Sequence, residues 1–193
     1  TPTPPLEGVV IEAEDFQPQG SGWKAVKNGE GNYMVDIVGW NHISGEHLLS
    51  AEAHIKDARA TAAIQIPEQG EYRVWSRFEQ PTGYENRFRV EIRQQGKVVG
   101  SAVMGEKEAP KYFFGESEPV GQRDAAWGSE GLVEQCFDLK GLQVGPTEIA
   151  LIGIEQPEPA ANRNVDFIFL TRDREDIWRA KPVNPSCHIL DAA

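Results

Sequence analysis

The amino-acid sequence predicts an all-β protein that folds as a two-layer antiparallel β-sandwich. Side chains in residues 72–79 and 87–93 alternate with a period of two between core-type and charged residues. That alternation is typical of strands with one buried and one exposed face. The 19 glycines and 13 prolines suit many strands joined by turns better than a helical bundle. A length of 193 residues suits one domain of this class.

The strands are expected in the following order. The apolar run Val9-Val10-Ile11 opens the sheet, and residues 48–59 fit either a short amphipathic helix or a strand followed by a loop. Further strands are predicted at 61–66, 72–78, 87–93, 97–103, 132–139, 147–154 and 164–171. The turn at 81–86 would join two of these strands into a hairpin. Residues 104–131 are too long for a plain connection and indicate a functional or self-packed loop.

The same pattern divides the chain into three parts. Residues 1–8 look like an N-terminal linker, residues 9–172 form the sandwich, and residues 173–193 form a tail or linker after a short helical turn. No signal peptide is recognisable, and Thr1-Pro2-Thr3-Pro4-Pro5 resembles a linker or the start of a processed chain.

Composition excludes several classes of partner. The net charge of −11 argues against general binding to nucleic acid or to anionic membranes, since both need a basic surface. No run of 18 apolar residues is present, so no membrane insertion is expected. Cys136 and Cys187 lack any zinc-site spacing. A disulfide between them would tie down the tail, but two unpaired thiols are the expectation.

Acidic residues at the two ends of the predicted sandwich suggest a metal site. Glu12, Glu14 and Asp15 directly follow the first strand, and Asp166 lies within the apolar closing strand. If the first and last strands are neighbours, Glu12, Glu14 and Asp166 converge, and their mutual repulsion calls for a base or a cation. Hard oxygen ligands of this kind favour calcium. The alternative is that the two glutamates face solvent and Asp166 pairs with Arg163 or another base.

Three motifs in this order resemble a known family. They are Ile11-Glu12-Ala13-Glu14-Asp15, the strand Gly70-Glu71-Tyr72-Arg73-Val74-Trp75-Ser76-Arg77, and the closing Asn164-Val165-Asp166-Phe167-Ile168. The pattern resembles carbohydrate-binding modules of families 6 and 35 and covers about Val9 to Thr171. The resemblance implies a jelly roll like that of galactose-binding domains, a structural calcium and a sugar cleft formed by loops. It also implies that the turn Ser44-Gly45-Glu46 adds calcium ligands.

The resemblance also implies which residues bind sugar. Asn164 matches the family's asparagine at the start of the closing strand, and Trp127 matches its later aromatic residue. Tyr33 or Trp40 would be the early aromatic. Such rings can stack on a sugar face, but they can equally fill gaps in the core. The long insert between Val103 and Leu132 departs from the family pattern, so the cleft can be reshaped.

These observations predict a non-catalytic carbohydrate-binding module with a structural calcium. It would be secreted, periplasmic or at the cell surface, bind a poly- or oligosaccharide, and belong with other domains of a polysaccharide-degrading enzyme. Two alternatives stay open: a jelly-roll polysaccharide lyase, and a structural sandwich that binds nothing. The lyase would use a basic face expected on the 72–93 hairpin, formed by Arg73, Arg77, Arg87, Arg89 and Arg93. That face could also dock an acidic polysaccharide, or Glu71, Glu79 and Glu91 could neutralise it.

Overall fold

A computed structural model describes residues 8–27, 46–81, 83–111 and 132–172, and the backbone of residues 188–190. Tyr33, Trp40, Trp127 and the Ser44-Gly45 part of the predicted turn lie outside the described residues. No helix within these ranges is both long enough and apolar enough to cross a lipid bilayer.

The described residues form two sheets, which confirms the predicted β-sandwich. The strands span Val9–Glu12 (β1), Gln17–Gln19 (β2), Lys24–Lys27 (β3), His47–Ala51 (β4), Arg59–Ile66 (β5), Gly70–Glu79 (β6), Phe88–Gln94 (β7), Lys97–Met104 (β8), Leu132–Leu142 (β9), Gly145–Gly153 (β10), Arg163–Thr171 (β11) and His188–Leu190 (β12). The larger sheet has the order β12-β9-β6-β11-β4-β3, with β1 also pairing with β11. The smaller sheet has the order β2-β5-β10-β7-β8. A short 3-10 helix, Ala13–Asp15, follows β1.

The core lies between the two sheets and is built by the predicted alternation. Val74 and Phe78 of β6 and Ile168 of β11 point from the larger sheet into the same buried cluster as Val90 and Ile92 of β7. Within that core the ring of Phe88 meets the ring of Phe78 edge-on at 5.3 Å. Such rings bury large apolar areas, so these contacts contribute much of the driving force for folding.

The outer side of the larger sheet is also buried, which the alternation did not predict. Trp75, Cys136, Phe167 and Phe169 form a second apolar cluster on the side away from the core. Beside it, Arg73 donates two hydrogen bonds to Asp138, with Nε to Oδ1 at 2.8 Å and Nη2 to Oδ2 at 3.2 Å. A charged pair buried on a sheet needs this two-point geometry to offset its loss of hydration.

The first and last strands of the predicted sandwich are neighbours, as expected. β1 and β11 pair antiparallel, with Val9 opposite Leu170 and Glu12 opposite Phe167. Residues 48–59 adopt the second of the two proposed forms, with strand β4 followed by a loop. The short strands β2 and β3 were not among the strands predicted from the sequence.

The predicted hairpin of residues 72–93 is wrong. β6 lies between β9 and β11 in the larger sheet, whereas β7 lies between β10 and β8 in the smaller sheet. Alternation identifies the faces of a strand but not its neighbours, so two consecutive strands can enter different layers. The hairpin that does form joins β7 to β8 through Gln95 and Gly96, both with positive φ, as a tight two-residue turn requires.

The expectation of two unpaired thiols is also wrong, because Cys136 is disulfide-bonded. The chain contains only one other cysteine, Cys187. It directly precedes β12, which pairs parallel with β9 so that His188 is opposite Phe137. Three residues of the segment expected to be a tail, His188–Leu190, thus form an added strand beside β9, the strand that carries Cys136.

Candidate functional site

Four loops meet at the end of the sandwich where β11 begins. They are residues 52–58 after β4, 80–87 between β6 and β7, 105–111 after β8, and 154–162 before β11. The strand registers place the end of β6, the start of β9 and the start of β11 together there. We call this region the loop end. Asn164, the predicted sugar-binding asparagine, lies on it.

Asn164 contacts an acid that the sequence did not single out as part of a site. Its side-chain Nδ2 lies 3.4 Å from Oε1 of Glu79, the last residue of β6. Both residues are buried, with 5% of Asn164 and 6% of Glu79 exposed. The sequence placed Glu79 on a solvated face. Its position beside Asn164 follows from the pairing of β6 with β11, which motif spacing does not reveal.

Arg163 fixes the loops around this asparagine. Its guanidinium donates to the backbone carbonyls of Arg87 at 2.7 Å, Glu52 at 2.8 Å and Ile55 at 2.8 Å, and also to that of Ile154. Burial lowers the pKa of Arg163 to about 10, which leaves the group charged at neutral pH. One fully buried side chain thereby connects three of the four loops to the start of β11.

Glu85 makes a second set of connections at the loop end. Its carboxylate accepts from Nε of Arg87 at 2.8 Å and from the backbone N–H of Lys107 at 2.8 Å. Its backbone N–H donates to the carbonyl of Pro159, and its carbonyl accepts from Ala161. The hydrogen bond from Arg87 is the main reason that the pKa of Glu85 lies below its ordinary value, although burial acts in the opposite direction. Glu85 therefore connects its loop to loops 105–111 and 154–162.

Loop 80–87 presents an aromatic ring which the sequence analysis did not assign. Tyr84 is 45% exposed, and its backbone is held by hydrogen bonds to Pro81 and from the side chain of Gln80. Among the described residues, the one other large apolar side chain that is exposed is Val144, which lies at the opposite end of the sandwich. A sequence signal existed: Tyr84 follows Thr82-Gly83 in a predicted turn, where side chains are usually solvated.

The three predicted calcium ligands lie in or directly after β1 and in β11. Glu14 and Asp166 both contact other groups of the protein. Oε1 of Glu14 accepts from the backbone N–H of Glu46 at 2.6 Å and of His47 at 2.9 Å. Burial raises the pKa of Glu14, but these hydrogen bonds outweigh that effect, so its pKa lies below the ordinary value. Asp166 is fully buried, and its Oδ2 lies 3.8 Å from Nη1 of Arg77.

This arrangement fits a calcium site only in part. Among the described residues, no three His, Cys, Asp or Glu side chains stand close enough together to hold a metal ion. The base beside Asp166 is Arg77, whereas Arg163, proposed for that role, binds backbone carbonyls instead. Glu14 does lie against residues 46 and 47, where the predicted turn ends.

The predicted basic face does not exist as one surface. Arg73 and Arg77 point outward from the larger sheet, and Arg89 and Arg93 belong to β7 in the smaller sheet, on the other side of the molecule. Arg93 also donates to Glu91 at 2.7 Å. The lyase alternative thereby loses the arginine face on which it depended.

Comparison with known proteins identifies the fold. No protein-family model matches the chain, and no curated protein does either. A family 35 carbohydrate-binding module from Clostridium thermocellum is 14% identical with a TM-score of 0.54, and the alignment covers 86% of this chain and 98% of that one. A family 6 module from a Cellvibrio mixtus lichenase, in complex with cellotriose, is 13% identical with a TM-score of 0.50, covering 87% and 99%.

A third structure contains the same fold within a larger protein. The isomalto-dextranase of Arthrobacter globiformis, complexed with panose, is 14% identical with a TM-score of 0.55. The alignment covers 86% of this chain but 24% of the dextranase. The chain therefore has the β-sandwich fold of family 35 and family 6 carbohydrate-binding modules.

Proposed function

We propose that the protein is a non-catalytic carbohydrate-binding module. The observation that carries the proposal is that the shared fold covers 98% and 99% of two solved carbohydrate-binding modules, one of them in complex with cellotriose. The loop end supplies the chemistry that sugar binding needs. Asn164 and Glu79 offer polar groups for hydroxyls, and the exposed ring of Tyr84 offers a flat apolar surface. Trp127, with Tyr33 or Trp40, would add further rings.

The proposal includes a secreted, periplasmic or cell-surface location and attachment to a polysaccharide-degrading enzyme. The disulfide bond of Cys136 supports the location, because disulfides persist mainly in oxidising compartments. The occurrence of this fold within a dextranase supports attachment to a catalytic domain. Neither argument depends on the identity of the sugar.

A structural calcium ion bound by Glu12, Glu14 and Asp166 also belongs to the proposal. Its support is the pairing of β1 with β11 and the contact of Glu14 with residues 46 and 47. Ligands beyond the three carboxylates would come from the turn 44–46. The ion would supply positive charge and would not take part in catalysis.

A glycan array followed by affinity electrophoresis tests the function. We expect the wild-type protein to be retained by at least one polysaccharide. Trp127→Ala should abolish retention. Tyr84→Ala should weaken binding by about 1–3 kcal/mol for a lost stacking contact, which is the range known for nucleic-acid bases that stack on aromatic side chains. Val144→Ala, which removes an exposed apolar side chain at the opposite end, is the matched control.

Two results would contradict the proposal in different ways. If no polysaccharide is retained, the non-binding structural sandwich is the better description. If retention is unchanged in both aromatic variants, the cleft lies elsewhere on the surface.

A further inference from the structure

The charges at the loop end are strongly unequal. Among the described residues of its four loops, the exposed acids are Glu52, Asp57, Glu108, Glu155 and Glu158, whereas Lys56 is the one exposed lysine or arginine. The opposite end differs. There the exposed Glu68 and Arg172 neutralise each other in an ion pair. Among the described residues of the loop end, exposed acids therefore outnumber exposed lysines and arginines by five to one.

The bases that point toward the interior of the loop end already have acceptors. Arg163 donates to four backbone carbonyls, and Arg87 donates to the carboxylate of Glu85. Nζ of Lys111 donates to the carbonyls of its own loop, including Glu106 at 2.5 Å and Ala109 at 2.9 Å. A carboxylate that paired with any of these three bases would have to displace one of these hydrogen bonds, which would leave an acceptor of the protein without its donor.

Hydrogen-bond acceptors, in contrast, are in surplus. Oε1 of Gln80 and Oδ1 of Asn86 are buried in loop 80–87 and accept no hydrogen bond from the described part of the chain. Buried acceptors of this kind are satisfied by an ordered water, whereas a carboxylate has no proton to donate to them.

We propose that the loop end takes a glycan without acid groups and rejects acidic polysaccharides. This inference rests on the proposed carbohydrate-binding function and narrows its ligand class. The exposed ring of Tyr84 carries the apolar face of the sugar, and a neutral glycan brings no negative charge toward the exposed carboxylates. A uronate would bring negative charge next to several exposed carboxylates, whose repulsion is felt within about 10 Å at 0.1 M salt.

The first test compares neutral with acidic polysaccharides on the wild-type protein. Affinity gels would contain laminarin, xylan, galactomannan or dextran on one side, and polygalacturonate or alginate on the other. We expect retention only among the neutral gels, with little change between low and high salt. Strongest retention by an acidic gel, weakened by salt, would overturn this inference and leave the carbohydrate-binding function intact. Failure to bind any gel would overturn that function and this inference with it.

The second test moves the charge. In Glu155→Lys with Glu158→Lys, two exposed acids of the loop end become bases. We expect this double variant to gain retention on polygalacturonate at low salt, by about tenfold or more. The matched control is Glu71→Lys with Glu148→Lys, which changes the net charge equally at exposed positions away from the loop end. Equal gains in both variants, or no gain in either, would overturn the inference.

Discussion

Arg163 shows how a single side chain can hold several loops in place. Its guanidinium satisfies backbone carbonyls from three loops, and its charge is not cancelled by a carboxylate in any of those contacts. An arginine suits this role because its five N–H groups project in a fixed planar fork. Arg163 directly precedes Asn164 in β11. The residue that holds the loops therefore also positions the start of the strand that carries the predicted sugar-binding asparagine.

We therefore expect Arg163→Met to destabilise the protein severely. The change removes the donors and leaves buried carbonyls without partners, at a cost of roughly 3–5 kcal/mol by analogy with a broken buried pair. Urea denaturation followed by circular dichroism measures the loss. Arg89→Met, at an exposed arginine of β7, is the matched control and should change the stability by less than about 0.5 kcal/mol. Similar losses in both variants would refute the role assigned to Arg163.

Lys111 predicts a pH dependence of stability. Burial lowers its pKa from 10.5 to about 8 in the folded protein. Between those two values the unfolded chain binds more protons than the folded one, so this residue makes the free energy of unfolding rise with pH. The penalty for burying the charged lysine is present in full below about pH 8 and disappears as the pH approaches 10.5.

The measurement is the stability difference between wild type and Lys111→Met in urea across that pH range. We expect the difference to move in favour of wild type by on the order of 3 kcal/mol as the pH rises. Lys97→Met, at an exposed lysine of β8, should show no such trend relative to wild type. A flat difference for Lys111→Met would contradict the prediction.

At the scale of elements, two glycines with similar backbone angles have different roles. Gly96 forms the tight turn between β7 and β8 with φ of 74°, and a Cβ there would meet nothing within 4 Å. Gly105 follows β8 with φ of 82°, and a Cβ there would lie 2.3 Å from the backbone oxygen of Asn86. The second glycine thus allows two loops of the loop end to approach each other.

Alanine substitution separates these effects. Gly96→Ala should cost about 1 kcal/mol for the left-handed backbone alone. Gly105→Ala adds a backbone clash and should cost at least about 2 kcal/mol more, since overpacking of a tight contact forces the backbone to move. Thermal melting of the two variants provides the comparison. Equal melting temperatures would mean that loops 80–87 and 105–111 can separate freely.

The elements that could be predicted from sequence are those with a strong alternating pattern. β5 to β11 were expected within a few residues of their observed bounds, because apolar residues recur at every second position. β2 consists of Gln17-Pro18-Gln19 and has no apolar residue to mark it, and β3 carries lysines at both ends, as suits an edge strand. Which strands pair depends on contacts between distant residues, so the division of β6 and β7 between two sheets was not predictable from alternation.

The candidate site was predictable to a similar degree. The place of Asn164 near the start of β11 and the pairing of β1 with β11 followed from motifs that lie within single strands. The roles of Glu79, Tyr84 and Arg163 depend on loops that are distant in sequence and meet only in the folded chain. Trp127, Tyr33 and Trp40 lie outside the described residues, so their roles stay predictions.

At the scale of the whole molecule, β1 begins and β11 ends opposite the loop end. Gly8 precedes β1 and Arg172 follows β11, and the antiparallel register places both beyond Val9 and Leu170. Asn164 lies at the other end of β11. The start of β1 and the candidate cleft thus lie at opposite ends of the sandwich.

The charge around Asp166 gives the last prediction. Two sources of positive charge can balance this buried carboxylate: Arg77, 3.8 Å away, and the proposed calcium ion shared with Glu12 and Glu14. An ion that binds only the folded state stabilises it by about 2.7 kcal/mol at a hundredfold excess over its dissociation constant. For a domain of this size, chelation should then lower the melting temperature by roughly 5–10 °C, and added calcium should restore it.

Melting of the wild type and of Asp166→Asn, each with EDTA and then with calcium, distinguishes the two sources. If calcium is bound, the wild type responds to chelation and Asp166→Asn responds much less, because a ligand has lost its charge. If Arg77 alone balances the carboxylate, neither protein responds. Arg77→Met would then be destabilised in both conditions, since Asp166 would be left buried without the base beside it. Metal analysis of the purified protein separates an absent ion from one that EDTA cannot remove. A wild type that contains no metal and melts unchanged in EDTA would rule out the calcium site and leave the arginine as the cation that balances Asp166.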